Sequence, residues 1–323
     1  MRHYTKRLKA IGGYIELQLP VKEEYHPSLI KLNTARNSLE YLLKINNYTS
    51  IYIPYFTCEV LLEPMKKLGI AYYFYTIDEN LDPIIDFRIG PTECFLYTNY
   101  FGIKQQTVLK LSHQITNLII DNAQAFYAKP LPGIDTFYSC RKFFGVADGA
   151  YLASNLVSRN QLEKDISFNR MSHLLKSIDL SIEDGYKNFI ENNTALERNP
   201  IRRMSSLTKR ILGGIDYEKC REIRNQNFKI LHDALSIKNQ LVIDTDQIDG
   251  PLCYPFLTDK EKIKEKLISK RVFAPVYWPN VFKWTTEKMH EHYLAKNLVP
   301  LPIDHRYNED DMLRIINYLK QLL

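Results

Sequence analysis

Residues 93–126, ECFLYTNYFGIKQQTVLKLSHQITNLIIDNAQAF, carry the pattern that decides the fold. The apolar run at the start predicts a strand, KQQTVLKLSHQI has the apolar spacing of a helix, and NLIID predicts a second, buried strand. Short apolar strands separated by helices are typical of a mostly parallel sheet with helices on both faces.

The same alternation continues on both sides of this stretch. Upstream, SIYIPY (50–55) and IAYYFYTI (70–77) predict strands around the helix TCEVLLEPMKKLG (57–69), which ends in a glycine. Downstream, DTFYS and GAYLAS predict two more strands. The sequence therefore predicts an α/β fold with a mostly parallel central sheet.

The character of the chain changes after residue 155. Residues 158–237 show mainly helical patterns, of which DYEKCREIRNQNFKILHDALS is the clearest. The segments LVIDT, PLCYPFLT, KEKIKEKLISK, RVFAPVYWP and EDDMLRIINYLKQLL then predict a smaller α+β unit. We predict a large domain over residues 1–215 and a small C-terminal domain over residues 216–323.

Composition narrows the class of protein. The net charge of +6 comes from 43 basic and 37 acidic residues, spread without a basic block, which disfavours a nucleic-acid partner. Five separated cysteines without a CxxC pair favour reduced thiols over disulfides or zinc. No apolar run has transmembrane length, and the N-terminus lacks the apolar core of a signal peptide, so we expect a cytoplasmic protein without a membrane partner.

Other ligand classes find little support in the sequence. No Gly-x-Gly-x-x-Gly follows an early strand, which disfavours a dinucleotide site. His290 and His292 are two residues apart, and on a helix they would face nearly opposite sides. We therefore expect no metal site.

The first of three polar clusters is NTARNSLEYLLK (33–44). Asn33 or Thr34 is placed to cap the helix that follows, and the N–H groups of Ala35, Arg36 and Asn37 would then point outward with the positive end of the helix dipole. Such a helix start binds phosphate, although a simple N-cap explains the pattern equally well.

The second cluster follows the buried strand of LIIDNAQAF. Asp121 ends the apolar run, so we expect its carboxylate to be partly desolvated unless a cation or a hydrogen-bond donor meets it. Capping of a following helix is the alternative. Gln124 lies one turn further on, at the same edge of the sheet.

The third cluster is FYSCRKFF (137–144). The aromatic residues around Lys142 are expected to draw the segment into the interior, where burial would lower the pKa of the lysine and make its amine a nucleophile. Ser139 is placed to donate to an anion, and a solvated surface lysine is the alternative. Together, the three clusters supply the groups that pyridoxal 5′-phosphate (PLP) requires, namely a phosphate cup, an acid for its ring nitrogen and a lysine for its aldehyde.

The order and spacing of these segments resemble the DegT/DnrJ/EryC1/StrS family of sugar aminotransferases, which have the fold-type I architecture of PLP enzymes. IIDNAQAF resembles the strand of that family that ends in Asp-x-x-x-Gln or Asp-x-x-Gln, which implies that Asp121 pairs with the pyridinium nitrogen and Gln124 lies against the cofactor. FYSCRKFFGVADGAYL resembles the Ser-to-Lys segment, which implies that Lys142 is the Schiff-base lysine and Ser139 a phosphate ligand.

Two further segments extend the resemblance. LNTARNSLEYLL is similar to a Ser-Gly-Thr-Ala-Ala-Leu helix start, which places Ala35 and Arg36 at the phosphate-binding amides. IPYFTCEVLL is similar to a Pro-x-x-Thr segment that supplies a group stacked on the cofactor. Cys58 stands where relatives often carry an aromatic residue, so Tyr55 or Phe56 is implied as the stacking ring.

The resemblance implies an activity as well as a fold. It implies a homodimeric PLP-dependent aminotransferase that moves an amino group from an amino acid, for which we expect glutamate, to a nucleotide-linked keto-sugar in polysaccharide biosynthesis. Lys142 would also shuttle the proton. Two alternatives remain open, a PLP-dependent keto-sugar dehydratase and a non-catalytic regulatory protein that keeps the fold. Dehydratases of the family carry histidine at the lysine position, so Lys142 favours transamination.

Overall fold

A seven-stranded sheet forms the centre of the molecule in the computed structural model, which describes residues 11–156 and 161–323. Its strands lie in the order β1-β7-β6-β5-β4-β2-β3. The five strands β3, β2, β4, β5 and β6 run parallel to one another, whereas β7 is antiparallel to both of its neighbours, β6 and β1. The strand bounds are β1 Ile30–Leu32, β2 Ser50–Pro54, β3 Ala71–Tyr75, β4 Glu93–Thr98, β5 Leu118–Asn122, β6 Asp135–Ser139 and β7 Ala150–Ala153.

Helices cover both faces of this sheet. One face packs Leu39 and Leu42 of the first helix against Ile53 and Ile119, and the other packs Val108 and Leu111 of the third helix in one cluster with the sheet residues Phe95 and Tyr97. The predicted fold class is therefore confirmed. The helices up to residue 212 are α1 Ala35–Asn46, α2 Leu62–Leu68, α3 Gln105–Gln114, α4 Ser172–Asp179, α5 Ile182–Ala195 and α6 Ser206–Leu212.

The C-terminal part is built around a two-stranded antiparallel sheet. Leu231, Tyr254, Leu301 and Ile315 are buried together in its core. LVIDT and RVFAPVYWP form loops rather than regular elements. The elements are α7 Tyr217–Leu235, β8 Cys253–Leu257, α8 Ile263–Ser269, α9 Val281–Trp284, α10 His290–Asn297, β9 Leu298–Pro302 and α11 Glu309–Leu322.

The predicted domain boundary at residues 215 and 216 lies just before α7. One apolar core, however, contains Phe56 and Tyr97 together with Trp278 and Leu294, so side chains from both predicted domains pack in one cluster. The division into two domains stays a prediction. Across residues 11–156 and 161–323, no helix has both the length and the apolar character that a bilayer crossing requires.

The register of the parallel strands determines which side chains meet at the edge of the sheet. Thr98 of β4 pairs with Asp121 of β5, and Asp121 pairs in turn with Phe137 of β6. The carboxyl ends of these strands therefore lie in line. Ligands of open α/β sheets bind at this edge.

Candidate functional site

Asp121 lies at the carboxyl end of β5, and its side chain is buried. Its Oδ1 accepts a hydrogen bond of 2.8 Å from the backbone N–H of Ala123, whereas Oδ2 has no protein partner in the described residues. Burial raises the pKa of Asp121, and the charge of Lys142 and the Ala123 amide lower it in part. A turn rather than a helix follows β5, so the helix-cap interpretation is wrong.

Lys142 ends a short 3₁₀ turn, Cys140–Lys142, directly after β6. The predicted burial of this lysine is wrong, because Lys142 is exposed. Its neighbours Phe143 and Phe144 are buried instead, since their rings pack against Phe126. The lysine is nevertheless close enough to Asp121 for its charge to lower the pKa of that carboxyl.

Gly149 connects the lysine turn to the start of α1. Its N–H donates to the Asn33 carbonyl at 2.6 Å, and its carbonyl accepts from the Cys140 N–H at 3.1 Å. The φ of Gly149 is +116°, a conformation that residues with a side chain rarely adopt. The position of the turn relative to α1 therefore depends on a glycine at residue 149.

The start of α1 is capped by Thr34, one of the two predicted caps. Its Oγ1 accepts from the Asn37 N–H at 3.1 Å, so the prediction that this amide points outward for a ligand is wrong. Ala35 and Arg36 occupy the first turn of α1, where N–H groups have no acceptor within the helix. Ser139, half-buried, is the last residue of β6 and immediately precedes the lysine turn.

The three predicted stacking residues follow β2. The ring of Tyr55 stacks on Phe74 with ring centres 4.7 Å apart, and the fully buried ring of Phe56 meets Trp278 edge to face at 5.0 Å. Cys58 is half-buried. Both rings thus already have aromatic partners, and which residue contacts a cofactor stays a prediction.

Two buried polar atoms near Asp121 have no hydrogen-bond partner in the described part of the chain. Gln124 is fully buried, and its Oε1 accepts from the Phe101 N–H at 2.8 Å while its Nε2 is unpaired. The hydroxyl of Thr98, which is paired in register with Asp121, is the second. Buried polar atoms are nearly always hydrogen-bonded, so unpaired ones beside a buried carboxylate are typical of a site that binds a polar ligand.

Arg141 directly precedes Lys142 in the 3₁₀ turn and was not among the residues predicted from the sequence. Its Nη2 donates to the Asn193 Oδ1 at 2.5 Å, and its Nε is buried without a partner in the described residues. Burial and, to a smaller extent, the positive charge of Arg36 lower the pKa of Arg141 to about 10. The only signal in the sequence was a second basic residue directly before Lys142.

Other features of the described structure do not belong to this edge of the sheet. A cavity of about 520 Å³ lies along β1, is lined by residues that include Leu32, Tyr41 and Arg203, and contains none of the predicted site residues. Within residues 11–156 and 161–323, no group of three or more His, Cys, Asp or Glu side chains is arranged to hold a metal ion.

Known structures share this fold. An aminotransferase of the DegT/DnrJ/EryC1/StrS type from Brucella abortus is 13% identical over 91% of this chain and 85% of its own, with a TM-score of 0.60. The sugar aminotransferase CalS13 from Micromonospora echinospora is 13% identical over 91% and 87%, with a TM-score of 0.61. NtdA from Bacillus subtilis, with bound cofactor PMP, is 14% identical over 91% and 73%, with a TM-score of 0.64.

These similarities establish the fold. The chain has the fold of the DegT/DnrJ/EryC1/StrS aminotransferases, as its sequence predicts. The sequence itself matches no protein-family model and no curated protein.

Proposed function

We propose that the chain is a PLP-dependent aminotransferase. The observation that carries the proposal is the proximity of a buried carboxylate, Asp121, and an exposed amine, Lys142, at the carboxyl edge of the parallel sheet. The fold is shared with aminotransferases, one of which carries PMP. Fold alone does not define an activity, so the argument depends on these side chains.

The side chains at this edge fit the chemical groups of PLP. The unpaired Oδ2 of Asp121 is free to accept from a protonated ring nitrogen, and the amine of Lys142 is free to attach an aldehyde. When bound, PLP supplies an electron sink for the carbanion at the substrate Cα. The other residues that we assign to the cofactor are Ala35, Arg36 and Ser139 at the phosphate, Gln124 beside the ring, and Tyr55, Phe56 or Cys58 at its face.

Each of the two central residues has a physical reason for its role. A buried carboxylate is costly to ionise unless a positive group compensates it, so Asp121 favours a protonated, positively charged partner at Oδ2. Lys142, at the end of its turn, is accessible to a substrate. Its amine can take a proton from a substrate carbon and return it to a neighbouring atom, as a general base and then a general acid.

The proposed substrates rest on the resemblance and on a structural neighbour, not on side-chain contacts. The resemblance and the description of CalS13 as a sugar aminotransferase support a keto-sugar acceptor, which we propose to be nucleotide-linked and used in polysaccharide biosynthesis. Glutamate is the proposed donor. We further propose that the enzyme acts in the cytoplasm as a homodimer.

A covalent test addresses the central assignment. We expect borohydride treatment of PLP-loaded protein to fix the cofactor on the peptide that contains Lys142, as read by mass spectrometry. Lys142→Ala should lose this adduct, whereas Lys320→Ala, at an exposed lysine of α11, should keep it. Wild-type protein that cannot be loaded with PLP, or an adduct on another lysine, would contradict the proposal.

A second measurement separates transamination from dehydration and from a non-catalytic role. With ¹⁵N-labelled glutamate and a keto-sugar nucleotide, the proposal predicts ¹⁵N on the sugar. Loss of water without nitrogen transfer would identify a dehydratase. A loaded protein whose absorption spectrum does not respond to any amino donor would support the regulatory alternative.

A further inference from the structure

Three guanidinium groups lie together beside the lysine turn. Arg141 is in the turn itself, Arg36 is in the first turn of α1, and Arg170 precedes α4. The positive charges of Arg36 and Arg170 both lower the pKa of Arg141, so each of them lies close enough to Arg141 to repel it. Such repulsion in a partly buried place requires negative charge to offset it.

The carboxylates of the protein offset only part of this charge. Arg36 pairs with Glu63, and Arg170 pairs with Asp165 at 2.7 Å. Arg141 has only the neutral side chain of Asn193 as a hydrogen-bond partner in the described residues. The buried carboxylate of Asp148, which accepts from Ser205 and Thr208, offsets part of the Arg141 charge, but Arg141 forms no ion pair within the described structure.

Two of the three arginines also have an N–H donor without an acceptor in the described part of the chain. The Nε atoms of Arg141 and Arg170 are both buried and lack an acceptor in the described residues. A guanidinium presents several N–H donors in a fixed plane, which match the oxygens of a phosphate. The backbone N–H groups of Ala35 and Arg36 lie in the adjacent first turn of α1, where a group with several anionic oxygens is favoured.

We propose, on the basis of the function proposed above, that Arg141 and Arg36 bind a phosphate group next to Lys142. The two possible sources of that group are the cofactor phosphate and a phosphate of the sugar nucleotide. Arg141 would thus bind the phosphate together with the Ser139 hydroxyl and the amides at the start of α1, which are the groups predicted from the sequence. A phosphate from either source would bind to the arginines without forming a covalent bond.

Binding of PLP and of pyridoxal, which lacks the phosphate, distinguishes a phosphate contact from a contact to the ring. We expect Arg141→Met to weaken PLP binding about 10- to 100-fold, in line with the loss of charge-assisted hydrogen bonds, and to leave pyridoxal binding unchanged. Arg141→Lys, which keeps the charge but loses the planar fork, should fall between the two. The readout is an absorption or fluorescence titration, not turnover.

Two control variants exclude a merely structural effect. Asn193→Ala removes the hydrogen-bond partner of Arg141 but keeps the guanidinium, so it should retain wild-type PLP affinity. Arg221→Met makes the same change at an arginine of α7 that pairs with Glu218 and Asp249, and it should also bind PLP normally. If Asn193→Ala weakens PLP binding as much as Arg141→Met does, Arg141 acts only as a tether and the proposal is overturned.

Inorganic phosphate identifies the source of the phosphate group. If the cofactor supplies it, phosphate should raise the melting temperature of the wild-type apoprotein but not that of the PLP-loaded protein. If the substrate supplies it, the loaded protein should respond as well. In both cases Arg141→Met should lose the response, and equal responses of variant and wild type, together with equal PLP affinities, would overturn the proposal. Wild-type protein that responds to phosphate but never binds PLP would instead contradict the proposed function.

Discussion

At the scale of single residues, the buried carboxylate of Asp121 lowers the stability of the folded protein at neutral pH. Burial raises its pKa above the ordinary value of 3.8, and the Lys142 charge offsets only part of the shift. A carboxyl whose folded-state pKa is raised contributes stability below its ordinary pKa and loses it as the pH rises through the raised value. In the apoprotein, an ionised Asp121 is therefore unfavourable at neutral pH.

The unfavourable ionisation of Asp121 leads to the first prediction. Asp121→Asn should raise the free energy of unfolding of the apoprotein at pH 7, because it removes the buried charge and keeps an oxygen for the Ala123 N–H. The gain should shrink as the pH falls towards 4. Urea unfolding at both pH values measures it, with Asp246→Asn at an exposed aspartate as the control. A destabilised Asp121→Asn apoprotein at pH 7 would contradict this explanation.

For His26 we predict the opposite pH dependence, because its burial makes the folded protein less stable as the pH falls. The ring is buried among Tyr25, Phe126 and Tyr138, its Nε2 lies 2.9 Å from the Phe126 carbonyl, and burial lowers its pKa from 6.5 to about 4. Between pH 6.5 and 4, His26 therefore binds a proton in the unfolded chain but not in the folded chain. The protein should lose about 3 kcal/mol of stability from this residue as the pH falls from 6.5 to 4.

A paired substitution isolates that contribution. His26→Gln retains an N–H donor near the position of Nε2 and cannot titrate, so its stability should fall less steeply between pH 6.5 and 4. His113→Gln, at an exposed histidine of α3, should keep the wild-type slope. Parallel stability curves for wild type and His26→Gln would show that His26 does not control acid sensitivity.

The sequence correctly predicts residues whose roles depend on neighbours only a few positions away in the chain. Thr34 could be predicted as a cap because a capping side chain bonds to a residue three positions on. The exposure of Lys142 and the contribution of Arg141 could not, because they depend on distant segments. Arg141 meets Asn193, which is 52 residues further along the chain, and no local pattern indicates such a contact.

At the scale of elements, the lysine turn depends on its connection through Gly149 to α1. A Cβ at this position would lie 2.9 Å from Cγ2 of Thr208, which is itself buried and bonded to Asp148. Gly149→Ala should cost about 1–3 kcal/mol from the backbone strain alone, with the contact adding to it. PLP affinity should fall too, because the start of α1 and the turn would shift apart.

The matched control lies four residues earlier. A Cβ at Gly145 would meet only Leu174 Cδ2, at an ordinary contact distance of 3.6 Å. Gly145→Ala should therefore leave urea unfolding and PLP titration close to the wild-type results. Equal effects of the two alanines on stability and affinity would mean that the conformation of Gly149 does not position the turn.

Periodicity predicts the elements of the central sheet better than those of the C-terminal part. The predicted strand at 50–55 is β2 Ser50–Pro54, and the helix predicted to end in a glycine ends at Gly69, which has a left-handed conformation. The central strands β2, β4 and β5 are buried on both faces, so their apolar runs are continuous. LVIDT has a similar composition but forms a loop, and within the described residues it joins neither β8 nor β9 in their sheet.

At the scale of the whole molecule, the hairpin of α4 and α5 exposes an apolar face. Ile178 and Tyr186 are 80% and 62% exposed, and Phe189 and Ile190 lie on the same side of α5 as Tyr186. Contiguous exposed apolar surface is typical of protein interfaces. The hairpin also adjoins the lysine turn, because Asn192 donates to the Ala147 carbonyl at 3.0 Å and Asn193 accepts from Arg141.

The last prediction concerns the proposed homodimer. If the second subunit covers this hairpin, Ile178→Glu combined with Tyr186→Glu should convert the dimer to a monomer, because burying two carboxylates in an apolar interface without partners is costly. Sedimentation velocity over a range of concentrations measures the change. PLP affinity should fall in parallel, because Asn192 of the hairpin donates to the carbonyl of Ala147, close to the turn that carries Lys142.

The control is an equally exposed apolar pair elsewhere. Ile237→Glu with Val242→Glu changes side chains that are 99% and 80% exposed beyond α7, and it should leave both the dimer and the PLP affinity intact. Wild-type protein that sediments as a monomer at every concentration would contradict the dimer itself. A hairpin variant that stays dimeric would place the interface on another surface, and the exposed face of α4 and α5 would then need a different partner.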